Sequence, residues 1–254
     1  MNESDKTDSV RAYYNDRVPR LDGTYANYRW EASAVRREHY VQTRDRLHSE
    51  LSTRRFGDVV EVGCGPLVWT PLLAVRARRV IALDLSYAML TDPGARQLPS
   101  AFRCCADASR LPLGVAVVDA VCTVRAFEYF PDKPAVIREF ARVLRPGGYL
   151  MIVTKNREYR GYADNGRVPR MDPDKQKLHS TNVSVAELLT MVRAGGFVDV
   201  RLRPVIVGRT NWIPVWKVMR WAVRVARPHW PDGIPRAISG LVESVMIVAQ
   251  RRSE

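Results

Sequence analysis

Glu61, Gly63 and Gly65 stand together in Val59-Val60-Glu61-Val62-Gly63-Cys64-Gly65-Pro66, and two further acids, Asp84 and Asp107, each close a later run of mostly apolar residues. The run Val59 to Val62 has the length and β-branching of a buried strand. A glycine pair directly after it lets the backbone turn tightly and leaves room for a ligand to lie against it. Any tight strand-to-helix turn needs glycine, so the neighbouring residues decide what this one means. A dinucleotide fingerprint would place a third glycine at position 68, where Val68 stands. Glu61 would repel a pyrophosphate and attract an ammonium group.

S-Adenosylmethionine carries an amino-acid tail and a sulfonium cation but no phosphate, so the Glu-x-Gly-x-Gly pattern points to that cofactor. Asp84 follows Glu61 by 23 residues, at the end of the apolar run Arg79 to Asp84. An acid there is placed to accept both ribose hydroxyls of an adenosine. The plainer reading, a cap on a helix from Ser86 to Leu90, is the weaker one given the turn upstream. Asp107, after the run Ala101 to Ala106, falls on the same sheet edge and could accept from an adenine amino group.

These positions need a scaffold of alternating strands and helices. Thr70-Pro71 reads as an N-cap with proline at the first helical position. Further strands are predicted over 116–124, 149–153, 197–203 and 242–250. Helices are predicted over 135–144, stopped by Arg145-Pro146-Gly147-Gly148, and over 185–194, ended by Gly195-Gly196. The alternation predicts an α/β fold with a doubly wound, mostly parallel sheet.

Length and composition agree. At 254 residues, with 46% hydrophobic content, the chain can bury one sizeable core. No run of about 18 apolar residues exists to span a membrane. The polar start, MNESDKTDSV, is expected to fray and is neither a signal nor a basic transit peptide. Cys64, Cys104, Cys105 and Cys122 form no Cys-x-x-Cys pair; they read as small hydrophobes near strands, no metal site is expected, and a reducing cytoplasm fits.

Residues 57–156 resemble a class I S-adenosylmethionine-dependent methyltransferase of the small-molecule type, the broad group that includes quinone- and natural-product-biosynthesis enzymes. The matching segments, in order, are Val59–Gly65, Ile81-Ala-Leu-Asp84-Leu-Ser86, Ala106-Asp107-Ala108, Phe127-Glu-Tyr-Phe-Pro-Asp132 and Leu144-Arg-Pro-Gly-Gly-Tyr-Leu150. The resemblance implies a Rossmann-like sheet of seven strands with the last one antiparallel. It also implies cofactor contacts at Glu61, Gly63, Cys64, Gly65, Asp84, Leu85, Asp107, Ala108 and Val124. The loop Pro66-Leu67-Val68-Trp69 is bulkier than is usual in that family.

On this reading the whole chain, 1–254, is a single methyltransferase domain. An N-terminal helical cap covers 10–56, the cofactor-binding core 57–156, and the acceptor-side half 157–207. A helical lid insertion covers 208–240, and the last strand lies within 241–254. The cap holds an amphipathic helix over 32–51, preceded by Tyr13-Tyr14 and Tyr25-Ala-Asn-Tyr28-Arg-Trp30. These aromatics either pack on the domain or form a lid over the cofactor, with Tyr28 as the contact. Of the net charge of +13, the final 98 residues supply +8. On a helix over 212–227, Lys217, Arg220, Arg224 and Arg227 span an arc of about 80° opposite an apolar face. Such a helix could roof an apolar acceptor pocket or rest on an anionic membrane surface.

At the acceptor, His179 is the first candidate for a base or substrate contact and His39 the second. Glu128 and Tyr129, after the fourth strand, are placed to border the acceptor. The acceptor class expected is a small or lipid-like metabolite. An RNA-modifying enzyme using the basic C-terminal third and a non-catalytic cofactor-binding protein are the alternatives. No RNA-binding module or amine-in-base signature is present, and the intact acids argue against a decayed site.

Overall fold

A computed structural model describes residues 3–95, 98–159, 178, 182–207 and 239–253. Seven strands form one sheet: β1 Phe56–Val62, β2 Ala77–Asp84, β3 Ala101–Cys105, β4 Val118–Val124, β5 Leu144–Lys155, β6 Phe197–Val207 and β7 Val242–Arg251. Their order is β3-β2-β1-β4-β5-β7-β6. Strands β1 to β5 pair in parallel, and β7 runs antiparallel between β5 and β6. The sheet expected from the sequence is therefore the one observed, with its last strand reversed.

Alternation along β1 divides the core. Val60 and Val62 join the cluster holding Val136, Ile137 and Phe140 of helix α5 (Lys133–Val143) and Leu188 and Val192 of helix α6 (Val185–Ala194). Val59 joins the opposite cluster with Leu47 and Leu51 of α2 (Ala34–Leu51) and Leu73 of α3 (Thr70–Ala74). Helices cover both faces, which is why the central strands read as unbroken apolar runs.

Several boundaries differ from expectation. From Glu3 the segment expected to fray is helical: helix α1 spans Glu3–Arg17, with Val10 and Tyr14 buried. Its apolar residues are too few to give a periodic stripe, yet Asn15 Oδ1 accepts from Ser86 Oγ at 2.7 Å and from Ala88 N at 3.2 Å, tying α1 to helix α4 (Tyr87–Leu90). In α2 the buried side chains are Thr43, Arg46, Leu47 and Leu51, while Val35 and Val41 are exposed. Thr70 is not the N-cap; Trp69 holds that position without a side-chain cap, and the Thr70 hydroxyl donates inward to Glu61 instead. Strand β5 begins at Leu144, so Arg145–Gly148 belong to the strand. Cys64 and Cys122 are buried as expected, but Cys104 and Cys105 are exposed on the edge strand β3. All but 239 and 240 of the 208–240 insertion, with its 212–227 helix, lies outside the described residues, as does His179. No described helix is long and apolar enough to cross a membrane, and no metal-binding cluster occurs among the described residues.

Candidate active site

A cavity opens at the carboxyl edge of β1, β2, β3 and β4, roofed by α1 and the turn over Asn27–Glu31. Its floor is the glycine turn. Gly63 and Gly65 adopt φ of +73° and +53°, a conformation that side-chain-bearing residues rarely take. Gly63 N and Cys64 N both donate to Leu83 O, at 2.7 and 3.0 Å, which fastens the turn to the end of β2.

Asp84 enters the cavity between two backbone donors. Its Oδ2 accepts from Gly65 N and its Oδ1 from Ser86 N, each at 2.8 Å. Burial outweighs these bonds and pushes its carboxyl up to about 6. Each oxygen retains acceptor capacity for a further donor. Asp107 also lines the cavity, and its Oδ1 accepts from Ser109 N and Oγ, each at 2.8 Å. Cys64, Leu85, Ala108 and Val124 complete this end, together with Pro66, Val68 and Trp69 of the bulky loop.

Glu61 is placed differently from the sequence expectation. It is fully buried and does not line the cavity. Its Oε2 accepts from Thr70 Oγ1 at 2.5 Å, while Oε1 lacks a hydrogen-bond partner. Burial pushes this carboxyl up to about 8, so it is protonated at neutral pH and does not act as a surface anion. It joins β1 to the start of α3, directly under the turn.

The other end of the cavity is built largely from residues that the sequence did not single out. Tyr28 is not at the cavity: its ring lies between Arg17 and Arg36, whose guanidiniums are 5.5 and 5.3 Å from its centroid. Its neighbours Tyr25, Arg29 and Trp30 line the cavity instead, with Tyr14 of α1. The aromatic lead-in was the visible signal, but only the tertiary fold decides which ring faces inward. Tyr14 packs edge-on against Tyr25 and Tyr129, with centroids 5.9 and 5.7 Å apart. Burial, foremost, raises the phenol pKa of all three.

Of the expected acceptor-border pair, Tyr129 lines the cavity and Glu128 does not. Glu128 is 1% exposed, with Oε1 3.3 Å from Arg125 Nε and Oε2 3.4 Å from Thr154 Oγ1. It positions Arg125, itself at the cavity and at φ +60°. His39 lies behind this group, its Nε2 3.4 Å from Glu243 Oε2.

An open α/β sheet with a glycine turn, two acids at successive strand ends and a closed-over cavity defines an adenosine-binding transferase site of the Rossmann-like kind. A family model described as "Methyltransferase domain" matches residues 60–152. A probable S-adenosylmethionine-dependent methyltransferase of Mycobacterium tuberculosis is 34% identical over 145 residues, 57% of this chain and 50% of that one. Demethylmenaquinone methyltransferase of Mycolicibacterium vanbaalenii is 31% identical over 162 residues, 57% of this chain and 70% of that one. The geranyl diphosphate C-methyltransferase of Streptomyces coelicolor shares the fold, with a TM-score of 0.62 over 97% of both chains at 16% identity. The chain belongs to the S-adenosylmethionine-dependent methyltransferases. It spans about half the length of the first curated relatives it matches.

The residues present fit the family's methyl donor: the half-buried carboxylate of Asp84 faces the cavity beside a turn whose glycines keep its surface open. Hydroxyl donors bind the ionised form of Asp84 best, so its protonation should oppose binding. Affinity for S-adenosylhomocysteine is expected to hold above pH 7 and to fall below about pH 6, approaching tenfold per pH unit. Calorimetric titrations from pH 5 to 8 measure this; a flat profile would remove Asp84 from the site.

Proposed function

We propose that the chain methylates a small-molecule or lipid-like acceptor held beneath α1 and the 27–31 turn. The observation that carries this reading is the continuity of one cavity. It runs from Asp84 and Asp107 to Tyr14, Tyr25, Arg29 and Tyr129. S-Adenosylmethionine, when bound, supplies a methyl group on a sulfonium, open to in-line displacement.

The protein's part is to hold and to dry the reactants. Asp84 accepts the ribose hydroxyls, Asp107 accepts from the adenine amino group, and Gly63 with Gly65 leaves space for the amino-acid tail. Trp30, Trp69 and the three tyrosines exclude water from the acceptor end. Orientation and dehydration then supply much of the rate. Tyr129 keeps its proton at neutral pH because burial raises its phenol, so it serves as a donor to the acceptor rather than as a base. Glu128, held by Arg125, acts through that arginine. His179 is proposed as base or substrate contact from its place in the chain. The name of the demethylmenaquinone enzyme supports an acceptor with an apolar body.

Purified protein titrated with S-adenosylhomocysteine should bind one equivalent, and it should transfer label from methyl-tritiated donor to members of an apolar metabolite panel. Absence of cofactor binding at millimolar concentration would defeat the proposal.

A further inference from the structure

We infer that Arg29 and Arg125 form an anion-recognising subsite for the acceptor, which is therefore an apolar small molecule bearing a carboxylate or phosphate. The inference rests on the methyltransferase reading and narrows its substrate class.

Arg29 lines the cavity and is partly buried. Its guanidinium lies 4.1 Å from the centroid of the Trp30 ring. Among the described residues it makes no ion pair with a carboxylate. Burial, followed by the nearby Arg125, holds its pKa below the ordinary arginine value. A guanidinium withdrawn from water beside another cation is costly unless an anion joins it.

The surrounding charges do not cancel that cost. Arg125, 8% exposed, is 3.3 Å from Glu128 Oε1 and donates to Ser244 Oγ at 2.9 Å; its Nη2 is 3.9 Å from Glu243 Oε1. Lys155, at the end of β5, is drawn down to about 8 by burial and then by Arg125. Among the described residues, Arg29, Arg125 and Lys155 thus face two carboxylates, Glu128 and Glu243, the second of which also meets His39. The family's methyl donor adds a sulfonium to a region already in cationic excess. An anionic acceptor balances it, and arginine's planar fork suits carboxylate and phosphate oxygens.

Arg29 stands on the β4 side of the cavity, where its substitution separates an acceptor anion from the cofactor's own carboxylate. The groups acting electrostatically on Arg29 are Arg125, Tyr25, Tyr129 and Glu128. Arg125, Glu128 and Tyr129 follow β4, and the cluster continues to Lys155 on β5 and Glu243 on β7. Asp84 and Asp107 stand across the sheet, after β2 and β3. The phenols of Tyr25 and Tyr129, which accept from Tyr14 and keep their own protons, add donors, and the remaining walls are largely apolar, which suits an amphiphilic anion.

The test uses phenyl phosphate as probe and benzyl alcohol as its neutral counterpart, titrated into protein saturated with S-adenosylhomocysteine and followed by isothermal titration calorimetry. Wild-type protein should bind phenyl phosphate at least tenfold more tightly than benzyl alcohol. Arg29→Gln should erase that preference while changing S-adenosylhomocysteine affinity less than twofold. Arg29→Lys, which keeps the charge without the fork, should restore part of it and controls for folding. Equal binding of the two probes to wild type, or an unchanged preference in folded Arg29→Gln, overturns the subsite. A variant that loses S-adenosylhomocysteine affinity instead also overturns it, by assigning Arg29 to the cofactor tail. Failure of wild type to bind S-adenosylhomocysteine would overturn the methyltransferase reading itself and is read separately.

Discussion

Replacing Asp84 by alanine is expected to weaken S-adenosylhomocysteine binding by two to four orders of magnitude. Two hydroxyl donors to one carboxylate are worth about 1.5–3 kcal/mol each, so their joint loss removes about 3–6 kcal/mol. The same change frees Gly65 N and Ser86 N from their acceptor, which loosens the turn the cofactor rests on. Stability should change little. The half-buried carboxyl is pushed up to about 6, which means that its desolvation outweighs the bonds it makes, and alanine removes both together. Asp107→Ala should cost far less, about tenfold, because it offers one acceptor to one neutral amino group and already serves Ser109. Calorimetry on the two variants, with circular dichroism and thermal melts as folding controls, decides the matter. Unchanged binding in a folded Asp84→Ala protein would remove the ribose assignment.

The sheet and the edge that carries Asp84 and Asp107 were legible because they are written locally. A buried parallel strand needs an unbroken β-branched run, its exit needs glycine, and the acids at successive strand ends fall on one edge by topology alone. Glu61 shows the limit of that logic. Its place in the motif was visible, but whether the carboxylate faced a ligand or the core depended on side-chain alternation: it shares a face with Val59 and reaches Thr70. The cavity end lined by Tyr14 and Arg29 was least legible. Tyr14 and Arg29 lie in the first 30 residues, where there is little periodic pattern, and they reach the cavity only because α1 docks through Asn15 and the 27–31 turn folds over the edge. Tyr28 was chosen over Tyr25 from a cluster in which composition could not rank the members.

The second large effect is expected at Gly63, where the sheet and the cavity floor depend on one missing carbon. A Cβ built there would lie 2.2 Å from Ala126 Cβ, far inside contact distance. Neither atom can swing aside, since both are fixed to backbone. Gly63 also sits at φ +73°, which costs a residue with a Cβ about 1–2 kcal/mol. Adding about 1–3 kcal/mol for overpacking, Gly63→Ala should destabilise the fold by about 2–5 kcal/mol, a large share of the stability of a typical domain. Cofactor affinity should fall as well, because Ala126 separates Arg125 from Phe127 and any shift there moves the cavity wall. Adding Ala126→Gly should recover the overpacking component but leave the dihedral one. At Gly65 the nearest atom to a built Cβ is Met89 Sδ, at 3.8 Å, so Gly65→Ala should cost only the dihedral component. Urea unfolding of the four proteins, wild type included, separates the two contributions. A Gly63→Ala protein as stable as wild type, or a double variant showing no recovery, would mean that the close approach of β1 and β4 does not hold the turn in place.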